Sequence, residues 1–316
     1  MAFQWMRRAL VALAPAALLA LAACGSGTIE SQFQPARIVV FGDGLSDMGN
    51  TGTRYNVNDS TAMWVKLVAL DYGVALDKSA AGGTDYATGN ARVTLTPDAA
   101  GNGAPTVKAQ IDSFLAANGS FNTGDLVILE AGISDLVVQM QAYRSGAITS
   151  DQLIANARQA GQDLAAQAKR VEASGATHIV LVGPYDLSKT PWGIGTNQQG
   201  VLTSATTAFN TGLLVDLVNE GNNMLYVDAA LLFNLMSGTP TAYGMQDSTT
   251  AVCTSVDPGP GIGIGVGQVN SALCTSSTIL SGANYSFYMW ADSVYPTPTP
   301  HSQLASYAFS RIHSRW

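Results

Sequence analysis

Short apolar runs rich in β-branched residues recur along the chain, and three of the four are followed by a glycine within two residues. The runs that predict strands are 37–41 (RIVVF), 126–130 (LVILE), 178–182 (HIVLV) and the shorter 224–227 (MLYV). Strands that are buried on both faces read as continuous apolar runs rather than as alternating ones. The pattern therefore favours a central parallel sheet.

Helical periodicity fills the segments between these runs. Apolar residues recur at steps of three and four over 153–171, behind a capping residue at Ser150 and ahead of a stop signal at Gly175. A second helix is predicted around 209–217. Thr299–Ile312 predicts the last helix, with a threonine cap followed by proline at the first helical position.

The alternation of strand and helix predicts an α/β fold, a three-layer α/β/α sandwich of flavodoxin-like type, as a single domain over residues 37–316. Ligand sites of open α/β sheets lie at the carboxyl ends of the strands. Residues 42–46 and 132–135 both follow predicted strand ends, so we expect them at one edge of the sheet.

The N-terminus carries an export signal. Arg7 and Arg8 precede an uncharged stretch, Ala9–Ala23, that is shorter than the roughly 20 residues needed to span a bilayer. The residues up to Cys24 and Gly25 (LAACG) resemble a bacterial lipobox. The resemblance implies a signal peptide over residues 1–23, lipid on Cys24, a tether over 24–36, and anchoring to a membrane of the bacterial envelope. Glycine rather than aspartate after the cysteine favours the outer membrane.

Composition narrows the function further. The net charge is −7 with no basic run, and only 12% of residues are charged, which argues against nucleic-acid binding.

Cys253 and Cys274 predict one disulfide in an exported protein. They lie inside a Gly/Ser/Thr-rich stretch, 247–285, which predicts a long surface excursion. No Cys/His cluster indicates a metal site, and no motif implies a cofactor.

Four segments resemble blocks of the GDSL (SGNH) esterase and lipase family. They are Phe41–Asp47 (FGDGLSD), Gly83–Arg92 (GTDYATGNAR), Ala131–Asp135 (AGISD) and Trp290–Thr297 (WADSVYPT). The resemblance spans nearly all of the chain after the signal. It implies an SGNH-hydrolase-like sandwich with an ester hydrolase site at one end of the sheet.

The positions that carry the family's chemistry differ in this chain. The nucleophilic serine is replaced by Gly44, the catalytic histidine by Tyr295, and the oxyanion asparagine by Ser134. The oxyanion glycine is retained as Gly89 and the orienting aspartate as Asp292. Acyl transfer needs a nucleophile and a base of suitable pKa, and neither glycine nor tyrosine supplies one at neutral pH.

Three hypotheses follow. The leading one is a lipid-anchored, catalytically inactive homologue of ester hydrolases that binds an acylated or glycan ligand in the former active-site cleft. A rival is an active GDSL-type esterase with a rearranged site, for instance Ser46 with His301. A third is a structural envelope lipoprotein without a small ligand. The sequence names neither the ligand nor a protein partner.

Overall fold

A four-stranded parallel sheet forms the centre of the computed structural model, which describes residues 33–257 and 267–316. The strands follow one another in sequence order across the sheet: β1 (Arg37–Phe41), β2 (Asp125–Glu130), β3 (His178–Val182) and β4 (Met224–Tyr226). Their apolar side chains are buried almost without exception. The predicted α/β class with a central parallel sheet is confirmed.

Eight α-helices accompany the sheet among the described residues. They are α1 (Trp64–Asp71), α2 (Val107–Asn118), α3 (Ile133–Arg144), α4 (Ser150–Ala173), α5 (Pro191–Thr196), α6 (Gln199–Val215), α7 (Ala229–Gly238) and α8 (Pro298–Arg315). Helix α4 packs along α6, and α1 packs along α8. The three helices predicted from periodicity correspond to α4, α6 and α8.

Two predicted helix starts were wrong by one or two residues. The cap of α4 is Thr149, whose hydroxyl accepts the Gln152 N–H while the Gln152 side chain accepts the Thr149 N–H. This reciprocal pair leaves Ser150 as the first helical residue. Helix α8 begins at Pro298 rather than after Thr299, because the first turn of a helix needs no proline N–H.

A short segment beside β1 extends the sheet. The Val40 N–H donates to the carbonyl of Thr84 at 3.0 Å, and the Tyr86 N–H donates back to the carbonyl of Val40 at 2.8 Å. This pairing brings the second glycine-rich motif alongside the first.

The stretch predicted as a surface excursion is more ordered than expected. It contains β5 (Asp247–Ala251), which pairs in parallel with β6 (Tyr288–Trp290). Cys253 and Cys274 are bonded, as predicted, with their Cα atoms 5.9 Å apart. Together with Val57, Val252 and Ala291 they form a second, small apolar core, so the disulfide supplements a core rather than replacing one.

The predictions for residues 1–23, for lipid on Cys24 and for most of the 24–36 tether lie outside the described residues. Within the described ranges, none of the helices combines the length and the apolar character that crossing a bilayer requires.

Removing the disulfide should destabilise the protein. Cys253→Ala with Cys274→Ala frees a loop whose ends are 21 residues apart, and we expect a loss of about 3 kcal/mol in the free energy of unfolding. Guanidinium unfolding measures this loss. Dithiothreitol should lower the midpoint of the wild type and leave that of the double variant unchanged; equal midpoints for the two proteins would contradict the prediction.

Candidate functional site

The first motif forms a tight turn at the carboxyl end of β1. The N–H groups of Ser46 and Asp47 donate to the carbonyl of Asp43 at 3.2 and 3.1 Å. Gln110 holds the start of the turn, accepting the Gly42 N–H and donating to the Gly42 carbonyl, both at 2.9 Å. The segment is a turn and does not continue as a helix. It presents Gly44 at the edge of the sheet where ligand sites are expected.

Tyr295 lies directly against Gly44. A Cβ atom added at Gly44 would lie 2.8 Å from both Cζ and Oη of Tyr295, closer than real Cβ contacts come. The tyrosine is 2% exposed. Its loop is closed by the Ala291 N–H donating to the Tyr295 carbonyl at 2.9 Å and held by the Tyr185 hydroxyl on the Val294 carbonyl at 2.7 Å. The structure thus brings together Gly44 and Tyr295, the positions that the resemblance assigns to the nucleophile and the base. The phenol ring of Tyr295 lies where the side chain of a nucleophile at position 44 would be.

A second tyrosine covers the retained oxyanion position. A Cβ at Gly89 would lie 2.1 Å from Cε2 of Tyr55, and the Tyr55 ring packs on that of Tyr295 with centroids 4.6 Å apart. The Gly89 N–H already donates to Oδ2 of Asp47 at 2.8 Å. Tyr55 belongs to none of the four motifs, and no periodicity marks it. Two aromatic rings therefore pack against Gly44 and Gly89.

Asp292 is buried and its two carboxylate oxygens accept four hydrogen bonds. Oδ1 accepts the N–H groups of Val294 and Tyr295 at 2.8 and 2.6 Å. Oδ2 accepts the N–H and the hydroxyl of Ser271 at 2.9 and 2.5 Å. Burial raises the pKa of Asp292, and these donors counteract part of the rise. The carboxylate braces the turn that carries Tyr295, and Ser271, which the sequence did not single out, takes the place of an imidazole partner.

Ser134 lies beside the first motif but has no open space to act in. Its N–H donates to Oδ2 of Asp43 at 3.4 Å, and its side chain is 1% exposed. The Ser134 hydroxyl has no hydrogen-bond partner among the described residues. Of the sequence-predicted positions, Gly44 and Tyr295 touch, Ser134 adjoins the Gly44 turn, Asp292 braces the Tyr295 loop, and Gly89 lies under Tyr55.

A pair of buried carboxyl groups lies beneath the turn. Asp43 and Glu130 are both fully buried, and burial raises the pKa of Asp43 to about 6. Burial and then the charge of Asp43 raise the pKa of Glu130 well above its usual range. Glu130 Oε2 accepts the Ser46 hydroxyl at 3.0 Å, and Ser46 Oγ accepts the Trp64 indole N–H at 3.1 Å. Glu130 thus anchors Ser46 in the interior.

The structure does not join Ser46 to His301. Ser46 is fully buried against Glu130 and Trp64, out of reach of a substrate. His301 is also buried, and neither ring nitrogen has a hydrogen-bond partner among the described residues. Burial, followed by the nearby charge of Arg54, lowers the pKa of His301 to about 3. Its imidazole is therefore neutral at neutral pH, and it makes no hydrogen bond to a serine hydroxyl among the described residues.

No metal cluster accompanies this arrangement. Within residues 33–257 and 267–316, no group of three or more His, Cys, Asp or Glu side chains is arranged to hold an ion.

Known proteins resemble the chain at low identity. A curated relative, the uncharacterized protein in the trpE–trpG intergenic region of Pseudomonas putida, is 24% identical over an alignment of 341 residues, which covers 98% of this chain and 54% of that protein. The chain thus spans about half the length of the curated relative it matches. No family model matches the chain described in this structure.

Two solved structures are similar in outline. A carbohydrate acetylesterase from Sinorhizobium meliloti is 13% identical over 87% of this chain and 97% of its own, with a TM-score of 0.47. The inhibitor-bound aryl esterase of M. smegmatis is 13% identical over 89% of this chain and 99% of its own, also with a TM-score of 0.47.

The contact between Gly44 and Tyr295 generates a packing prediction. Gly44→Ala should destabilise the protein by about 1–3 kcal/mol in urea unfolding, because the added methyl overlaps a confined ring. In a Tyr295→Ala background the same change should cost much less. Gly200→Ala, where a Cβ meets nothing within 4 Å, is the control and should stay within about 1 kcal/mol of its parent. Equal costs of Gly44→Ala in both backgrounds would contradict the contact.

The raised pKa of Asp43 generates a pH prediction. A carboxyl whose folded pKa lies above its unfolded value binds protons more tightly in the folded state, so its stabilising effect is full at low pH and is lost as pH rises through about 6. The stability of the wild type relative to Asp43→Asn should therefore increase by up to about 3 kcal/mol from pH 7 to pH 4.

His301 has the opposite effect on stability, because its lowered pKa makes the folded protein less stable as the pH falls. Both proteins contain His301, so its effect cancels when the stability of Asp43→Asn is subtracted from that of the wild type. Unfolding by urea at several pH values measures both proteins. Asp112→Asn is the control. The pKa of this exposed carboxylate is lowered, chiefly by its hydrogen bond to Lys108, so the wild type should gain no stability relative to this variant from pH 7 to pH 4. A pH-independent difference between wild type and Asp43→Asn would refute the assignment.

Proposed function

We propose that the protein is a non-catalytic relative of GDSL-type ester hydrolases that binds a ligand at the edge of its sheet while anchored to the bacterial envelope through lipid on Cys24. The observation that carries the proposal is the pair of tyrosine rings. Tyr295 occupies the space of a nucleophile on Gly44, and Tyr55 packs against Gly89, whose N–H is already bonded to Asp47. The nucleophile and the base are missing, and the oxyanion donor, the N–H of Gly89, is already bonded to Asp47. No group is therefore available to start acyl transfer.

Burial of the phenols supports the loss of base chemistry. Burial raises the pKa of Tyr295 well above its ordinary value, and nearby carboxylates raise it further. At neutral pH the hydroxyl keeps its proton and cannot accept one from an attacking water or alcohol. The rival esterase built on Ser46 and His301 finds no support, because both side chains are buried and each lacks the other as a partner.

A ligand-sized cleft favours a binding function over a purely structural one. It measures about 310 Å³ and opens beside Gly89, with Tyr55 among its lining residues. Volumes of this size are typical of the lower end of small-molecule sites. Lipid anchoring would hold this cleft at the envelope, next to acylated and glycosylated molecules.

Ester hydrolysis assays test the absence of catalysis. The purified wild type should not hydrolyse p-nitrophenyl acetate above background or react with a fluorophosphonate probe. Gly44→Ser alone should stay inactive, because Tyr295 obstructs the new side chain. Gly44→Ser with Tyr295→His should gain measurable turnover, and adding Ser271→Ala should raise it by freeing Asp292 Oδ2 to orient the imidazole.

Ser46→Ala is the matched control. It should leave the wild-type background unchanged, since the hydroxyl only bonds Glu130 and Trp64. Wild-type turnover that Ser46→Ala or His301→Ala abolishes would instead establish the rearranged esterase.

A further inference from the structure

A pocket of about 220 Å³ lies at the start of α1, apart from the cleft beside Gly89. Two positively charged side chains, Arg54 and Lys66, belong to its lining. The rest of the lining, Met48 and the segment 60–63, is uncharged. The pocket and the cleft have no described lining residue in common. The pocket is therefore a separate candidate site, with positive charge where the lining of the cleft has none.

Neither cation of this pocket is paired with a carboxylate. Arg54 donates from Nη1 to the carbonyl of Thr61 and from Nη2 to the carbonyl of Asp59, the latter at 2.7 Å. Lys66 Nζ donates to the carbonyl of Leu76 at 2.6 Å. The ion pairs found among the described residues join other side chains. A carbonyl dipole does not neutralise a full charge, so both side chains remain available to an anion.

Asp59 is the acid that acts on Arg54, and its carboxylate is engaged elsewhere. Its Oδ1 accepts the Thr61 N–H at 2.7 Å, and its Oδ2 accepts the Tyr285 hydroxyl. Burial lowers the pKa of Arg54, and the charge of Asp59 only opposes this effect. The surroundings of Arg54 thus disfavour its charge, and an anion in the pocket would favour it.

Most N–H groups of the two cations are uncommitted. A guanidinium has five such groups and an ammonium has three. The bonds to backbone carbonyls use two on Arg54 and one on Lys66, which leaves three and two. Arg54 Nε bonds to no described residue and is not among the atoms that the protein seals from solvent. The pocket therefore offers donors that a ligand can reach.

The start of α1 adds to the positive potential of the pocket. Met63 precedes the helix without a capping side-chain hydrogen bond, and the first turn contains no acidic residue. The N–H groups at a helix start carry a partial positive charge. Met63 and Lys66 both line the pocket, so this end of the helix lies next to the cations.

We propose that the pocket binds a phosphate group, carried by a small phosphate ester or by a phospholipid headgroup, through Arg54 and Lys66. A guanidinium matches pairs of phosphate oxygens, and an ammonium adds a point charge. A phosphate monoester presents three acceptor oxygens, whereas a carboxylate presents two in one plane, so the phosphate engages two separate cations better.

The size of the pocket agrees with this assignment. Its volume of about 220 Å³ suits a phosphate and the atoms next to it, and lies below the roughly 300–1,000 Å³ of sites for larger ligands. The site goes beyond the proposed function, because it would bind phosphate whatever the cleft beside Gly89 holds.

Calorimetric titration of the purified full chain at low ionic strength tests the proposal, because salt screens charged contacts. The probes are glycerol 3-phosphate, phosphatidylcholine vesicles with and without phosphatidic acid, and acetate. Glycerol 3-phosphate or the phosphatidic acid vesicles should bind saturably, with a dissociation constant on the order of 1 mM or below. Binding of glycerol 3-phosphate indicates a soluble ester, and binding of phosphatidic acid alone indicates a headgroup. Acetate and plain phosphatidylcholine should bind at least about tenfold more weakly.

Variants at the two cations locate the binding. Lys66→Gln removes one charge and should weaken phosphate binding about tenfold, while Lys66→Arg keeps a cation and should retain most of it. Arg54→Gln should also weaken binding about tenfold, and it decides the matter if Lys66→Gln does not fold. Lys169→Gln is the matched control. It removes the same charge from an exposed lysine of α4, outside the pocket, and should leave binding unchanged.

Three results would overturn the proposal. The first is no saturable binding of either phosphate probe up to about 10 mM. The second is phosphate binding that neither Lys66→Gln nor Arg54→Gln weakens more than Lys169→Gln does. The third is acetate displacing the bound phosphate probe at equal concentration, which would make the pocket a general anion site.

Discussion

The packing of the Tyr295 ring on Gly44 is the constraint on which the site depends. A side chain at position 44 and a ring at position 295 cannot occupy the same volume, so the glycine and the tyrosine form one arrangement rather than two separate losses. Tyr55 extends it by packing against both Tyr295 and Gly89. Asp292 stabilises the arrangement from behind by fixing the turn that presents the ring.

Beneath these rings lies a layer of buried acids that backbone N–H groups hold in place. Asp47 accepts three such donors, from Gly49, Asn50 and Gly89, and Asp85 accepts two. Asp135 binds both Arg92 and the Val93 N–H, which ties the second motif to the third. Each bond satisfies a carboxylate that would otherwise be costly to bury. One of these bonds also engages the N–H of Gly89, the position that the resemblance assigns to the oxyanion.

The sequence predicted the features that depend on local pattern or on motif chemistry. The bounds of β1 and β3, the disulfide and the meeting of Gly44 with Tyr295 all follow from apolar runs, paired cysteines or the spacing of family-like blocks. Tyr55 and Ser271 could not be found in this way. They lie in loops without periodicity, and their roles arise from contacts with residues distant along the chain, which no local signal encodes. The start of α4 differed because Thr149, one residue before Ser150, forms a reciprocal cap with Gln152.

The two tyrosines divide the edge of the sheet into a filled centre at Gly44 and an open cleft beside Gly89. The rings fill the centre, and close to them Oδ1 of Asn90 is buried without a donor among the described residues. Such an atom costs about 1–3 kcal/mol in a protein that never binds anything. A purely structural scaffold would gain stability from a glycine at this position of positive φ.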